Sequence, residues 1–156
     1  MGLEASMEPL GSYIRRWPRT AAALAFGCIT MIVTHFAWIP SARMSAMALT
    51  IAAGVAHALA GAITGRRLLD TTRTQTSPQA ALIGALTSLL AVALFSSAFV
   101  IFLRATDVRP STALSYLLLT VLTGVFSFLG AGWALLLVSA GVGLSLYRLA
   151  APQRLA

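Results

Sequence analysis

Residues 20–39 read TAAALAFGCITMIVTHFAWI, an apolar run that holds no Asp, Glu, Lys or Arg. At about 1.5 Å of rise per helical residue, ~20 residues cross a hydrocarbon core of ~30 Å, and a helix satisfies its own backbone hydrogen bonds in that medium. This run decides the fold class: it predicts a transmembrane α-helix. On one flank Pro40 closes it, and on the other Arg15, Arg16, Trp17, Pro18 and Arg19 form the basic, aromatic signal of a membrane interface. Residues 1–19, which also carry Glu4 and Glu8, read as a polar and basic interfacial arm.

Outward from this run the pattern repeats. After a tight turn at residues 40–43, a second span covers about residues 44–65 and ends at Arg66 and Arg67. Residues 68–78, with Asp70, Arg73 and a Thr/Gln/Ser-rich stretch, form the longest polar connection. A third span covers about residues 79–103, bounded by Arg104, Asp107, Arg109 and Pro110.

Residues 112–147 again carry no charge. As one helix they would measure ~55 Å, nearly twice the hydrocarbon thickness. They form either one long span protruding into the interface or two short spans joined by a tight turn near Gly130, Ala131 and Gly132, beside Trp133. Glycine tolerates such a turn, but it would hold no Asn, Asp, Pro or charge to satisfy its backbone groups. Residues 148–156 read as a short C-terminal tail.

Orientation follows from the arginines, which supply all eleven basic residues. With four spans, eight of them (Arg15, Arg16, Arg19, Arg66, Arg67, Arg73, Arg148 and Arg154) share a side, and three (Arg43, Arg104 and Arg109) lie opposite. A fifth span makes the split six against five. Basic loops stay in the cytoplasm, so four spans with a cytoplasmic N-terminus are expected. The expected class is an all-α, polytopic transmembrane bundle.

The composition agrees. The chain is 58% hydrophobic and 10% charged, with a mean hydropathy of +0.86, well above the roughly half-apolar makeup of soluble domains. No polar segment approaches the ~50 residues of a separate domain. The formal charge of +7 is not a nucleic-acid signature, because the arginines sit at the ends of apolar runs, where they meet lipid headgroups. A cleaved leader is not expected, since residues 20–39 exceed a 7–15-residue signal core and Phe26 stands where a lipoprotein site ending at Cys28 wants a small residue. Met1-Gly2-Leu3-Glu4-Ala5-Ser6 matches the short myristoylation pattern but is not read as a site. The Ala-rich, Lys-free composition associates with GC-rich bacterial coding, hence an expected bacterial plasma (inner) membrane.

The spans hold no Asp, Glu, Lys or Arg, although proton relays and ion-coupled transporters depend on such residues. Four-span small multidrug exporters need an embedded glutamate, and quinone-linked disulfide enzymes need paired cysteines, whereas Cys28 stands alone. Cys28 is expected as a small buried residue. No Gly-x-Ser-x-Gly elbow, His-Glu-x-x-His helix or phosphate loop occurs, and no enzyme is expected. Asp70 and Asp107 are expected to pair with neighbouring arginines.

His35 and His57 are the titratable groups within the apolar runs. On antiparallel helices their depths differ by ~14 Å, too far for one metal ion, so no joint metal site is expected. His57 has Ala53, Gly54, Ala58, Gly61 and Gly65 on or beside its helical face. Ala53-x-x-x-His57 is similar, over five residues, to the Ala-x-x-x-His spacing of bacterial light-harvesting polypeptides, which implies a haem- or chlorophyll-type macrocycle ligated by His57. The competing expectation is helix packing, because Gly54-x-x-x-Ala58 and Gly61-x-x-x-Gly65 let helices approach closely while His57 hydrogen-bonds a Ser, Thr or carbonyl.

Three functions are consistent with these residues. The first is a non-catalytic membrane subunit or scaffold packed against other transmembrane proteins, with no predicted cofactor. The second is a haem- or chlorophyll-binding subunit using His57. The third is a small channel or carrier for a neutral or lipid-like solute, lined by hydroxyls such as Thr30, Thr34, Ser88, Ser96, Ser97, Thr120, Thr123 and Ser127.

Overall fold

The computed structural model describes residues 4–38, 43–69, 76–105 and 112–150. They form six helices: α1 (Glu4–Arg16), α2 (Pro18–Trp38), α3 (Arg43–Leu69), α4 (Ser77–Ala105), α5 (Ala113–Ser127) and α6 (Trp133–Ala150), with a π turn (Phe128–Gly132) between the last two. There is no strand among the described residues. Four of the helices are long and apolar enough to cross a membrane, over Pro18–Phe36, Met47–Leu69, Ser77–Phe102 and Trp133–Ala150. Asp70, Arg73, Asp107, Arg109 and Arg154 lie outside the described residues, and with them the expected ion pairs.

The arm is helical from residue 4 to residue 16. Arg15 and Arg16 close α1 in its last turn, where cations favour the helix dipole, and Pro18 opens α2 at the first position, where its missing N–H is not needed. Gly11 brings α1 against the backbone of α6: a Cβ there would lie 2.8 Å from the Leu149 carbonyl oxygen. Ile14 is buried, and the Arg15 guanidinium donates to the Ala150 carbonyl at 3.3 Å, supplying a partner to the end of α6.

The long helices pack antiparallel through small residues. Along α2 and α3, Gly27 meets Ala58, and Gly65 lies against Ala22 and the Pro18 carbonyl. Along α4 and α6, Gly84 sits on the Ser139 backbone and Gly143 on the Ala80 carbonyl. A bilayer gives helices little hydrophobic drive to associate, so this close van der Waals contact is what holds them together. The apolar core, including Ala22, Phe26, Leu68, Ala80 and Leu146, collects at the end of the bundle that carries Arg19, Arg66, Arg67 and Arg148.

No tight turn forms at Gly130, Ala131 and Gly132. Ser127, Phe128 and Trp133 all keep right-handed helical dihedrals, and the Phe128 N–H still bonds to Gly124 and Val125. The physical reason is the one the sequence contains: a turn there has nothing to satisfy its polar groups, whereas a π turn keeps them bonded. Helix α4 accordingly runs antiparallel to α5 and α6 in succession, Ser96 meeting Gly124 and Ala80 meeting Gly143.

Cys28 is exposed, contrary to expectation. Helix α2 is apolar on every side, so its sequence does not reveal which face turns inward.

Candidate functional site: an apolar cleft beside His57

Beyond the π turn the bundle opens. Helix α6 touches α2, α3 and α4, but α5 packs chiefly along α4, and none of its residues is buried. Between α3 and α5 this leaves a cleft of about 420 Å³. Its residues on α3 (Leu49, Thr50, Ala53 and His57) lie between the start and the middle of that helix, and those on α4 (Val92, Phe95 and Phe99) in the second half of theirs, which places it away from Arg66 and Arg67. Thr123, Phe126 and Ser127 form the α5 wall, and Gly132 and Leu135 close the base.

No side chain on this wall carries a fixed charge. Phe95 and Phe99, one helical turn apart on α4, lie nearly parallel, with ring centroids 6.2 Å apart and an interplanar angle of 13°. Ser and Thr in helices commonly bond back to the preceding turn, as Thr34 does to the Thr30 carbonyl at 2.7 Å. The Thr50, Thr123 and Ser127 hydroxyls form no hydrogen bond among the described residues. A mostly apolar cavity with a few unpaired polar groups has the make-up of a small-molecule site.

His57 is 2% exposed and contributes to the inner wall. Its Nδ1 lies 3.0 Å from the Ala53 carbonyl, which only accepts, so Nδ1 carries the proton. Nε2 is then the acceptor, 3.4 Å from the Ser88 hydroxyl, which donates to it across the α3–α4 contact. Both nitrogens are thus engaged within the protein, and ligation of a macrocycle would require Nε2 to leave Ser88. Close by, the Thr64 and Thr87 hydroxyls approach to 2.8 Å, while each also reaches its own preceding turn, Ala60 at 2.9 Å and Ile83 at 2.8 Å. Two hydrogens serve three contacts, so at most two of the three are hydrogen bonds at any moment.

The small residues expected beside His57 point elsewhere. Gly54 packs on Met31, Ala58 on Gly27, and Gly61 and Gly65 on Ala22, all against α2, whereas the imidazole turns to α4. The space near His57 comes instead from Ala53 and the divergence of α5. Because Ala58 meets Gly27, His57 is level with Cys28, and His35 lies about 10 Å further along α2 by helical rise. His35 is exposed, edge-on to Phe36 with centroids 5.8 Å apart. Among the described residues no group of three or more His, Cys, Asp or Glu is placed to hold a metal ion.

No protein-family model matches the chain, no curated protein matches it, and no solved structure matches it. The site therefore rests on its own geometry. Sequence reasoning singled out His57, Thr34 and Thr123 but not Thr50, Phe95, Phe99 or Phe126. The available signal was Phe95, Phe99 and Phe126, bulky side chains on α4 and α5, helices whose close contacts run through Gly84, Ala80, Ser96 and Gly124.

Proposed function

We propose that this chain is a non-catalytic integral membrane protein that holds an uncharged, largely apolar ligand, drawn from the bilayer, in the cleft between α3 and α5. The cleft carries this reading: about 420 Å³, apolar, free of fixed charge, and provided with unpaired hydroxyls. A charged ligand would pay a desolvation cost of several kcal/mol with no counter-charge on the wall. Small-molecule sites of this kind commonly measure about 300–1,000 Å³.

The chain crosses the membrane four times with its N-terminus in the cytoplasm, in the plasma membrane of a bacterium. Support comes from the four long apolar helices, the helical backbone through residues 128–132, and the arginines clustered at one end of the bundle, where anionic headgroups meet them. A reporter at residue 74 is expected to read cytoplasmic, and one at residue 107 exterior. The reading as a packed subunit would use the outward apolar faces of α3 and α5, which lipid covers equally well.

Native mass determination of the protein released from its own membrane in mild detergent tests the reading. The expected result is a neutral small-molecule adduct that disappears in Ala53→Phe, which fills the cleft. A wild-type chain with no adduct, or an adduct unaffected by the filling, contradicts it.

A further inference from the structure

The chemistry of the walls specifies the ligand more narrowly, and this step rests on the cleft being a ligand site. Thr50 on α3 and Thr123 and Ser127 on α5 line one space, and none of their hydroxyls is hydrogen-bonded among the described residues. Between them α4 contributes the nearly parallel Phe95 and Phe99 rings. A single-headed lipid such as a fatty alcohol meets one wall and leaves the other unpaired. A hydrocarbon satisfies neither.

The occupant that meets every group is a flat ring with acceptor oxygens on opposite edges and an apolar tail. Its edges accept from the two hydroxyl walls, and an electron-poor ring faces the electron-rich phenyl surfaces, where offset stacking is favoured. We infer that the cleft binds a lipid-soluble quinone, one carbonyl accepting from Thr50 and the other from Thr123 or Ser127. The absence of fixed charge on the wall suits this neutral, oxidised form. The inference concerns binding alone and involves no electron transfer.

The test uses the full chain in lipid nanodiscs, following saturable quenching of tryptophan fluorescence by a decyl-substituted benzoquinone, with decanol and decylbenzene as competitors. Trp133 follows the cleft-lining Gly132 but is itself 58% exposed, so only the saturable part of its quenching reports on the cleft. The quinone is expected to bind saturably and to resist both competitors. Thr50→Val, and Thr123→Val combined with Ser127→Ala, should each weaken it about five- to tenfold, the loss of one neutral hydrogen bond. Thr50→Ser, which keeps the hydroxyl, should restore binding, and Thr120→Val, outside the cleft on the same helix, should not change it.

If decanol or decylbenzene displaces the quinone as effectively as the quinone itself, or if the Val variants bind like wild type, the quinone assignment is wrong while the cleft remains a ligand site. If no probe binds saturably, both readings fall.

Discussion

The two ends of the bundle differ in how close their helices come. At the arginine-rich end, α2 packs on α3 and α4 on α6 with glycine against backbone, α1 covers the join, and the apolar core is concentrated. At the other end α5 leans on α4, and Gly124 meets Ser96 at an ordinary van der Waals distance, 3.4 Å from where its Cβ would be to the hydroxyl oxygen. The residue types set the contrast. Glycine and alanine at spacings of four let backbones touch, whereas the walls of the cleft carry the bulkier Phe95, Phe99 and Phe126. One end specifies the fold, and the other leaves room for a ligand.

The largest expected effect breaks the tight end. Replacing Gly61 and Gly65 together by Leu drives side chains into Ala22 and the Pro18 carbonyl, 2.7–2.8 Å from where each Cβ would begin, so detergent-solubilised protein should unfold or aggregate. Gly141, with nothing within 4 Å of its would-be Cβ, is the matching control, and Gly141→Leu should leave the melting temperature nearly unchanged. Equal damage from both would mean that glycine contacts do not hold this end.

A smaller effect is expected where the two ends join. His57→Leu removes the hydrogen bond that crosses to Ser88, and interhelical bonds in bilayers contribute about 0.6 kcal/mol on average and at most about 2. Chemical denaturation in detergent should show a loss within that range. A visible absorption band lost on the same substitution would instead show a ligated macrocycle.

The sequence revealed the spans because a bilayer imposes their length and expels charge to their ends, two constraints visible one residue at a time. It did not reveal α1 as a helix, since residues 4–16 mix Pro9 and Gly11 with charges, and Ile14 and Gly11 gain a partner only when α6 arrives. The small-residue stripe on α3 was legible, but which neighbour it meets was not. The stripe and His57 divide between α2 and α4, a matter of helix rotation that an all-apolar helix does not encode. The cleft was the least legible, because its walls are assembled from Thr34, Thr50, Phe95, Thr123 and Leu135, far apart in the chain.

The smallest expected effect is a gain. Thr30 and Ser139 bury hydroxyls that have no partner among the described residues, a cost of about 1–3 kcal/mol each if left unmet. Ser139→Ala keeps the close approach to Gly84 and removes the orphan group, so stability should rise by about 1 kcal/mol in the same denaturation assay. A clear loss would show that Ser139 has a partner in the membrane.

Cysteine labelling reads the cleft and its occupant together. With Cys28 replaced by Ser, Thr123→Cys and Ser139→Cys are exposed in turn to an uncharged, membrane-soluble maleimide, in delipidated protein and again after a neutral lipid extract of the native membrane is added back. The thiol at position 123 should react rapidly when delipidated and be protected by the extract, while the thiol at position 139, 1% exposed in the wild-type side chain, should stay unreactive throughout. Equal reactivity at the two positions, or no protection at position 123, would contradict a ligand-holding cleft.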